Sequence, residues 1–316
     1  ASNTIAGATT FNNAGTVTLG DGVGPDTINF TGGVIATAPS AINLNGTVTA
    51  AGVGVITLGD AGTGVTVGGT SLVGGASTGQ ITMGAATLAD GVTLTVGAGA
   101  ATPISLSSVS GTALLAVSNL TIDTTGAVTV GGAVGTDIGT VTITNSGGTS
   151  FNSTVDAATI AITDTTAGTT VAFTGNTNAT TSMTVAAGAG VGYNVSLTGA
   201  SNTIAGATTF NNAGTVTIGD ANTDSTTFVA GVVATAPASK SIAGTVAATT
   251  GASAINLGTS AVSVTDNAVV GGAATGAITL GNATLADGKS LTMGTGIANA
   301  INLGSVLGNA AAGVEA

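Results

Sequence analysis

Any chemistry in this chain has to be built from aspartate, threonine, asparagine and two lysines. The 316 residues contain no His, Cys, Trp or Arg; the ionisable side chains are twelve Asp, one Glu, Tyr193, Lys240 and Lys289. Without imidazole or thiol there is no His-based triad, no Cys nucleophile and no His/Cys metal centre. One grouping has the spacing of an oxygen-donor cation site. Asp21 precedes Gly22-Val23-Gly24-Pro25-Asp26-Thr27-Ile28, so glycines turn the chain between two carboxylates. Calcium takes six to eight oxygens, which makes Asp21 and Asp26 the candidate ligands and calcium the one cofactor the sequence suggests. Solvated turn aspartates are the simpler account of the same residues.

The calcium spacing is similar to a single nonapeptide of calcium-binding β-rolls, which collect ligands from consecutive repeats; here it stands alone. Its counterpart, Asp220-Ala221-Asn222-Thr223-Asp224, lacks the glycines. Gly288-Lys289-Ser290 supplies the end of a phosphate-binding loop, but the earlier glycine of that motif would fall on Ala283. Thr-x-Thr pairs at Thr16/Thr18, Thr93/Thr95, Thr142/Thr144 and Thr215/Thr217 raise a third possibility, hydroxyl arrays that bind ice. With two lysines and a net charge of −11 the chain offers nothing to nucleic acid phosphates or anionic lipid. The inventory predicts no enzyme.

These residues sit in a sequence that reads as strand and turn throughout. Apolar and polar residues alternate in Thr16–Leu19, Val53–Leu58, Val65–Val67, Gln80–Met83, Val92–Val96, Val128–Val130, Val141–Thr144, Ile160–Ile162 and Met183–Val185. Threonine and β-branched residues suit a pleated surface, and Gly-rich punctuation recurs about every ten residues. Charged residues are 5% of the chain against roughly 25% in ordinary soluble domains, yet small apolar side chains run evenly along it. That combination suits a narrow interior between closely spaced strands. Asn45-Gly46, Asp90-Gly91 and Asp287-Gly288 signal either hairpins or corners between successive strands of one coil; the corner reading is favoured. Uncharged stretches such as residues 27–59 are too rich in Gly, Thr, Asn and Pro for spanning helices, and aromatic girdles for a membrane barrel are absent.

Repetition decides between architectures. ASNTIAGATTFNNAGTVT runs from Ala1 to Thr18 and again, unchanged, from Ala200 to Thr217. Val34–Pro39 (VIATAP) returns as Val232–Pro237 (VVATAP), and Thr87–Gly91 (TLADG) returns as Thr284–Gly288. The organisation is therefore a β repeat unit at 1–119, a single-copy β segment at 120–199 and a second unit at 200–316. The fold expected is all-β, a repetitive parallel β-helix in which each coil buries its neighbour's face; antiparallel β-sandwich repeats are the alternative.

The segment Leu197–Gly219 resembles the autotransporter-associated β-strand repeat of bacterial surface passengers, and more broadly filamentous-haemagglutinin-like surface β-helix proteins. The matching residues are Leu197, Thr198, Gly199, Asn202, Thr203, Gly206, Thr208, Thr209, Phe210, Gly214, Thr215, Val216 and Gly219. Ile204 stands where that family usually has Tyr, an extra Asn lengthens the middle, and the family's translocator barrel is not among these residues. The resemblance implies a parallel β-helix at the cell surface. The expected function is an extracellular structural protein that self-associates head-to-tail with copies of itself into a fibre, sheath or filament, with no nucleic acid partner and no membrane insertion. The stalk of a cell-surface adhesin is the alternative, and an ice-binding solenoid a more distant one. Repeat sequence begins at Ala1, and Asn309–Ala316 carries one charge and no evident cap, so open strand edges are expected to template the contacts.

Overall fold

The computed structural model describes residues 1–23, 26–113, 116–190 and 192–309. It is a parallel β-solenoid with no helix among the described residues. Gly24 and Pro25 of the calcium-like turn and residues 310–316 of the expected open end lie outside the described residues. The solenoid divides into two units, Ala1–Ala157 and Ala158–Ala316.

In the first unit each coil has three short strands, for example Thr47–Ala50, Ile56–Leu58 and Val65–Val67, followed one coil later by Ser71–Gly75, Ile81–Met83 and Ala86–Leu88. All three pairs are parallel. Register partners such as Ile28/Val48 and Leu94/Leu120 are 20 and 26 residues apart, which sets the range of coil lengths. Strand alternation sends one set of side chains inward. The register then stacks like on like at the roughly 4.8 Å spacing of paired strands. On one face Val34, Ile56, Ile81, Ile104 and Val128 form one internal column, and Ala36, Leu58, Met83, Leu106 and Val130 the next. All ten are buried. The second unit repeats the scheme with columns such as Val232, Ile255 and Ile278.

Parallel pairing settles the Asn-Gly and Asp-Gly dipeptides as corners. Gly46, Gly91 and Gly288 have φ of 146°, 72° and 66°, and a Cβ on Gly46 would lie 2.6 Å from the Asp26 carbonyl oxygen. The antiparallel sandwich alternative is thereby overturned, since each corner hands the chain to the next face of its coil instead of folding it back. One expected strand is shorter than its alternation suggests. Val53–Leu58 becomes strand only at Ile56–Leu58. Gly52 takes φ of 60°, and Gly54 sits so close to Gly33 that a Cβ would meet its nitrogen at 2.8 Å. Val53 is left exposed.

Three turns per coil bring backbone carbonyls indoors without ladder partners, and buried hydroxyls satisfy them. At one corner of the first unit Ser77 Oγ donates to the Gly54 carbonyl (2.6 Å), Thr102 Oγ1 to the Ser77 carbonyl, and Thr124 Oγ1 to the Thr102 carbonyl (2.6 Å). Ser77 and Thr124 also accept the N–H of Gly79 and Gly126, at 2.9 Å each. The result is a staircase of hydroxyls climbing one coil per step. Thr124→Val keeps the shape but orphans a buried carbonyl and an N–H, and is expected to cost about 1–3 kcal/mol. Thr129→Val, on an outward position of the strand Val128–Val130, is expected to change stability by less than about 0.5 kcal/mol. Urea denaturation of both variants beside the native chain measures the difference.

The duplicated sequence keeps its local geometry. The Phe11 and Phe30 rings meet edge-on at 6.2 Å and 86°, and Phe210 and Phe228 at 6.1 Å and 85°. Thr16–Leu19 and Thr215–Ile218 are both strands whose second and fourth residues are buried.

Candidate functional site

Asp21 and Asp26 come together, but at a corner that the backbone itself fills. The Asp26 carboxylate accepts the Asp21 N–H at 2.7 Å and the Ala1 amine at 2.6 Å, while Asp21 Oδ1 accepts the Val23 N–H at 2.8 Å. The Ala1 amine, followed by the Asp21 N–H, holds the Asp26 carboxyl down at about 2. The second unit builds the same corner without the glycines. Asp224 Oδ2 accepts the N–H groups of Asp220 and Ala221, at 2.9 and 3.0 Å. Asp26 and Asp224 each turn their own carbonyl to the next coil, accepting the N–H of Thr47 at 2.8 Å and of Thr245 at 2.7 Å. Burial first, then the neighbouring Asp224 carboxylate, raises Asp220 above the usual carboxylate value. Both corners spend carboxylate lone pairs on N–H groups, and no cluster of three or more metal-ligating acidic side chains occurs among the described residues.

The sequence already sets Asp220–Asp224 beside Asp21–Asp26, across a one-residue deletion that puts Asp21 and Asp26 at different offsets from their partners. What it did not show is the shared hydrogen-bond geometry, in which the aspartate just before the strand Thr27–Phe30 or Ser225–Phe228 accepts the N–H of the earlier one.

Lys289 is not placed to cradle a phosphate. Its Nζ lies 2.7 Å from Asp266 Oδ1, and Asp266 Oδ2 also accepts the Asn222 N–H at 3.1 Å. The pair links neighbouring coils of the second unit, and Lys289 foremost holds Asp266 below the usual carboxylate value. The first unit has Gly69 and Val92 at the corresponding positions, so both partners are absent there together.

Outward hydroxyls stack as regularly as the core. In the first unit Thr57, Thr82, Ser105, Thr129 and Ser150 form an unbroken column. In the second, Ser196, Thr217, Ser241, Ser263 and Thr284 do the same. The Thr-x-Thr pairs singled out in the sequence do not share one array. In the first unit Thr93/Thr95 stacks with Asn119/Thr121 and Thr140/Thr142 on one face. Thr16/Thr18 stacks with Ala41/Asn43 on another. Among the described residues one groove lies by Thr279, Asn282, Asn302 and Leu303, and another is lined by Asn3, Asp21 and Asp26. Compared with protein-family models, curated protein sequences and solved structures, the chain has no match.

Two outcomes check this description. Asp224→Ala frees two N–H groups and is expected to cost about 1–2 kcal/mol, with Asp224→Asn costing less and added calcium leaving the melting temperature of the native chain unchanged. For the coil-linking pair, stability is present above the ordinary carboxylate value and is lost as pH falls through the lowered Asp266 value. Lys289→Val is expected to move the Asp266 titration upward when followed by carboxyl NMR.

Proposed function

We propose that this chain is a structural protein of the cell exterior, a solenoid element that lengthens by adding coils. The carrying observation is that the described polar groups serve stacking. Corner hydroxyls and aspartates bind backbone, outward hydroxyls form columns, and the Lys289–Asp266 pair ties coil to coil. Among the described residues the strands Ile301–Leu303 and Val306–Gly308 pair on one side, with Ile278–Leu280 and Ala283–Leu285. Ile301, Leu303, Val306 and Leu307 are exposed there. A further coil fits that edge, supplied by a second copy or by more of the same polypeptide; parallel backbone pairing and small apolar side chains would hold it. The likeness of Leu197–Gly219 to surface-passenger repeats supports the exterior location and also the second reading, a stalk that carries an adhesive site.

Negative-stain microscopy and sedimentation of the purified 316-residue chain test the proposal. Filaments whose length grows with concentration support self-association. Particles that remain monomeric at high concentration overturn it, and favour the stalk. Labelling of intact cells with a membrane-impermeant reagent reads out the location.

A further inference from the structure

Both lysines belong to the second copy of the repeat, and one of them faces inward. Lys240 takes the place of Ile42. In the first unit Ile42 is buried between Val17 and Val65. In the second, Lys240 is in register between Val216 and Val262, with 1% of its surface exposed. Its amine meets Ser260 Oγ, whose own proton goes to the Pro237 carbonyl at 2.8 Å. The corner itself is a repeat feature: in the first copy Thr63 Oγ1 donates to the Pro39 carbonyl at 2.6 Å, with no amine beside it.

Among the described residues no carboxylate pairs with this amine. Asp266, on the strand Val262–Gly271, is engaged by Lys289. Asp220 and Asp224, beyond the strand Thr215–Ile218, bond to each other's turn. The amine's own strand, Ser239–Ala247, carries no other charge. A buried ammonium without a counter-charge is so costly that the group sheds its proton instead. Burial alone pushes the Lys240 amine below the usual lysine value.

We propose that the folded second repeat holds Lys240 as the neutral amine and that its protonation unlatches this coil, giving the solenoid a proton-sensitive joint. The unfolded chain keeps its lysine protonated up to about 10.5, so below that value the unfolded state binds the extra proton. Stability therefore rises with pH toward 10.5 and is lost as pH falls toward the folded-state value. Few other groups act between pH 6 and 10, because His and Cys are absent. The Ala1 amine is raised, chiefly by its hydrogen bond to Asp26, and acts with the opposite sign. Tyr193, raised by burial and then by Asp164, removes stability only above its ordinary value of 10.

The test compares the native chain with Lys240→Ile, which restores the first-copy residue, and with Lys240→Met, which keeps the linear shape. Denaturation is run from pH 6 to 10. Relative to either variant, the native unfolding constant is expected to fall by about tenfold per pH unit within the titrating window, and both variants are expected to be the more stable at pH 7. Equal pH slopes in native and variant chains overturn the proposal. A direct readout that does not depend on the variants folding is side-chain nitrogen NMR of the native protein. A Lys240 signal that loses its proton below the ordinary lysine value of about 10.5 supports the latch, and one that titrates at or above that value overturns it.

Discussion

Parallel backbone pairing from coil to coil is the constraint on which the rest depends. It fixes the distance between equivalent residues at one strand spacing, so a residue can only sit where its copy above and below can sit too. The internal columns of Ile56, Ile81 and Ile104 and the outward column of Thr57, Thr82 and Ser105 are two readings of that single register. Side chains must then be small, because each shares its layer with two other faces. Gly, Ala, Val and Thr dominate for this reason, and four of the six phenylalanines pack edge-on in two pairs.

Pairing along the faces leaves the corners as the costly places. There the backbone turns inward without a ladder partner, and the chain answers with buried hydroxyls and carboxylates. Ser77, Thr102 and Thr124 pass hydrogen bonds down one corner, and Asp26 and Asp224 close another kind of turn. Aspartate at a corner serves the turn: Asp26 Oδ2 and Asp224 Oδ2 accept N–H groups of their own turns.

The duplication works as a comparison inside one molecule. Where both copies agree, as in the aromatic pairs and the Thr63 and Ser260 corners, the geometry is the same. Where they differ, the change has a local cause and a local consequence. Gly69 and Val92 give way together to Asp266 and Lys289, and an ion pair joins two coils. Ile42 gives way alone to Lys240, and an amine takes a buried position that the first copy fills with hydrocarbon.

What the residues determined by themselves was class and repetition. Alternating Val, Ile and Thr demanded half-buried strands, and the missing His and Cys removed imidazole and thiol chemistry, because both follow from side-chain properties that need no neighbours. Corners against hairpins at Asn45-Gly46 and Asp90-Gly91 were not decided locally, since a left-handed glycine serves either turn; the parallel partner strands decided it. The same holds for Val53–Leu58, whose alternation looked like one strand until Gly54 met Gly33 across coils. The inward direction of Lys240 was hidden too. A lysine in Ser-Lys-Ser-Ile reads as an exposed residue, and only the register that places it between Val216 and Val262 turns it to the core. Tertiary structure decides such points because facing, unlike strand propensity, is a property of the pair of coils and not of the segment.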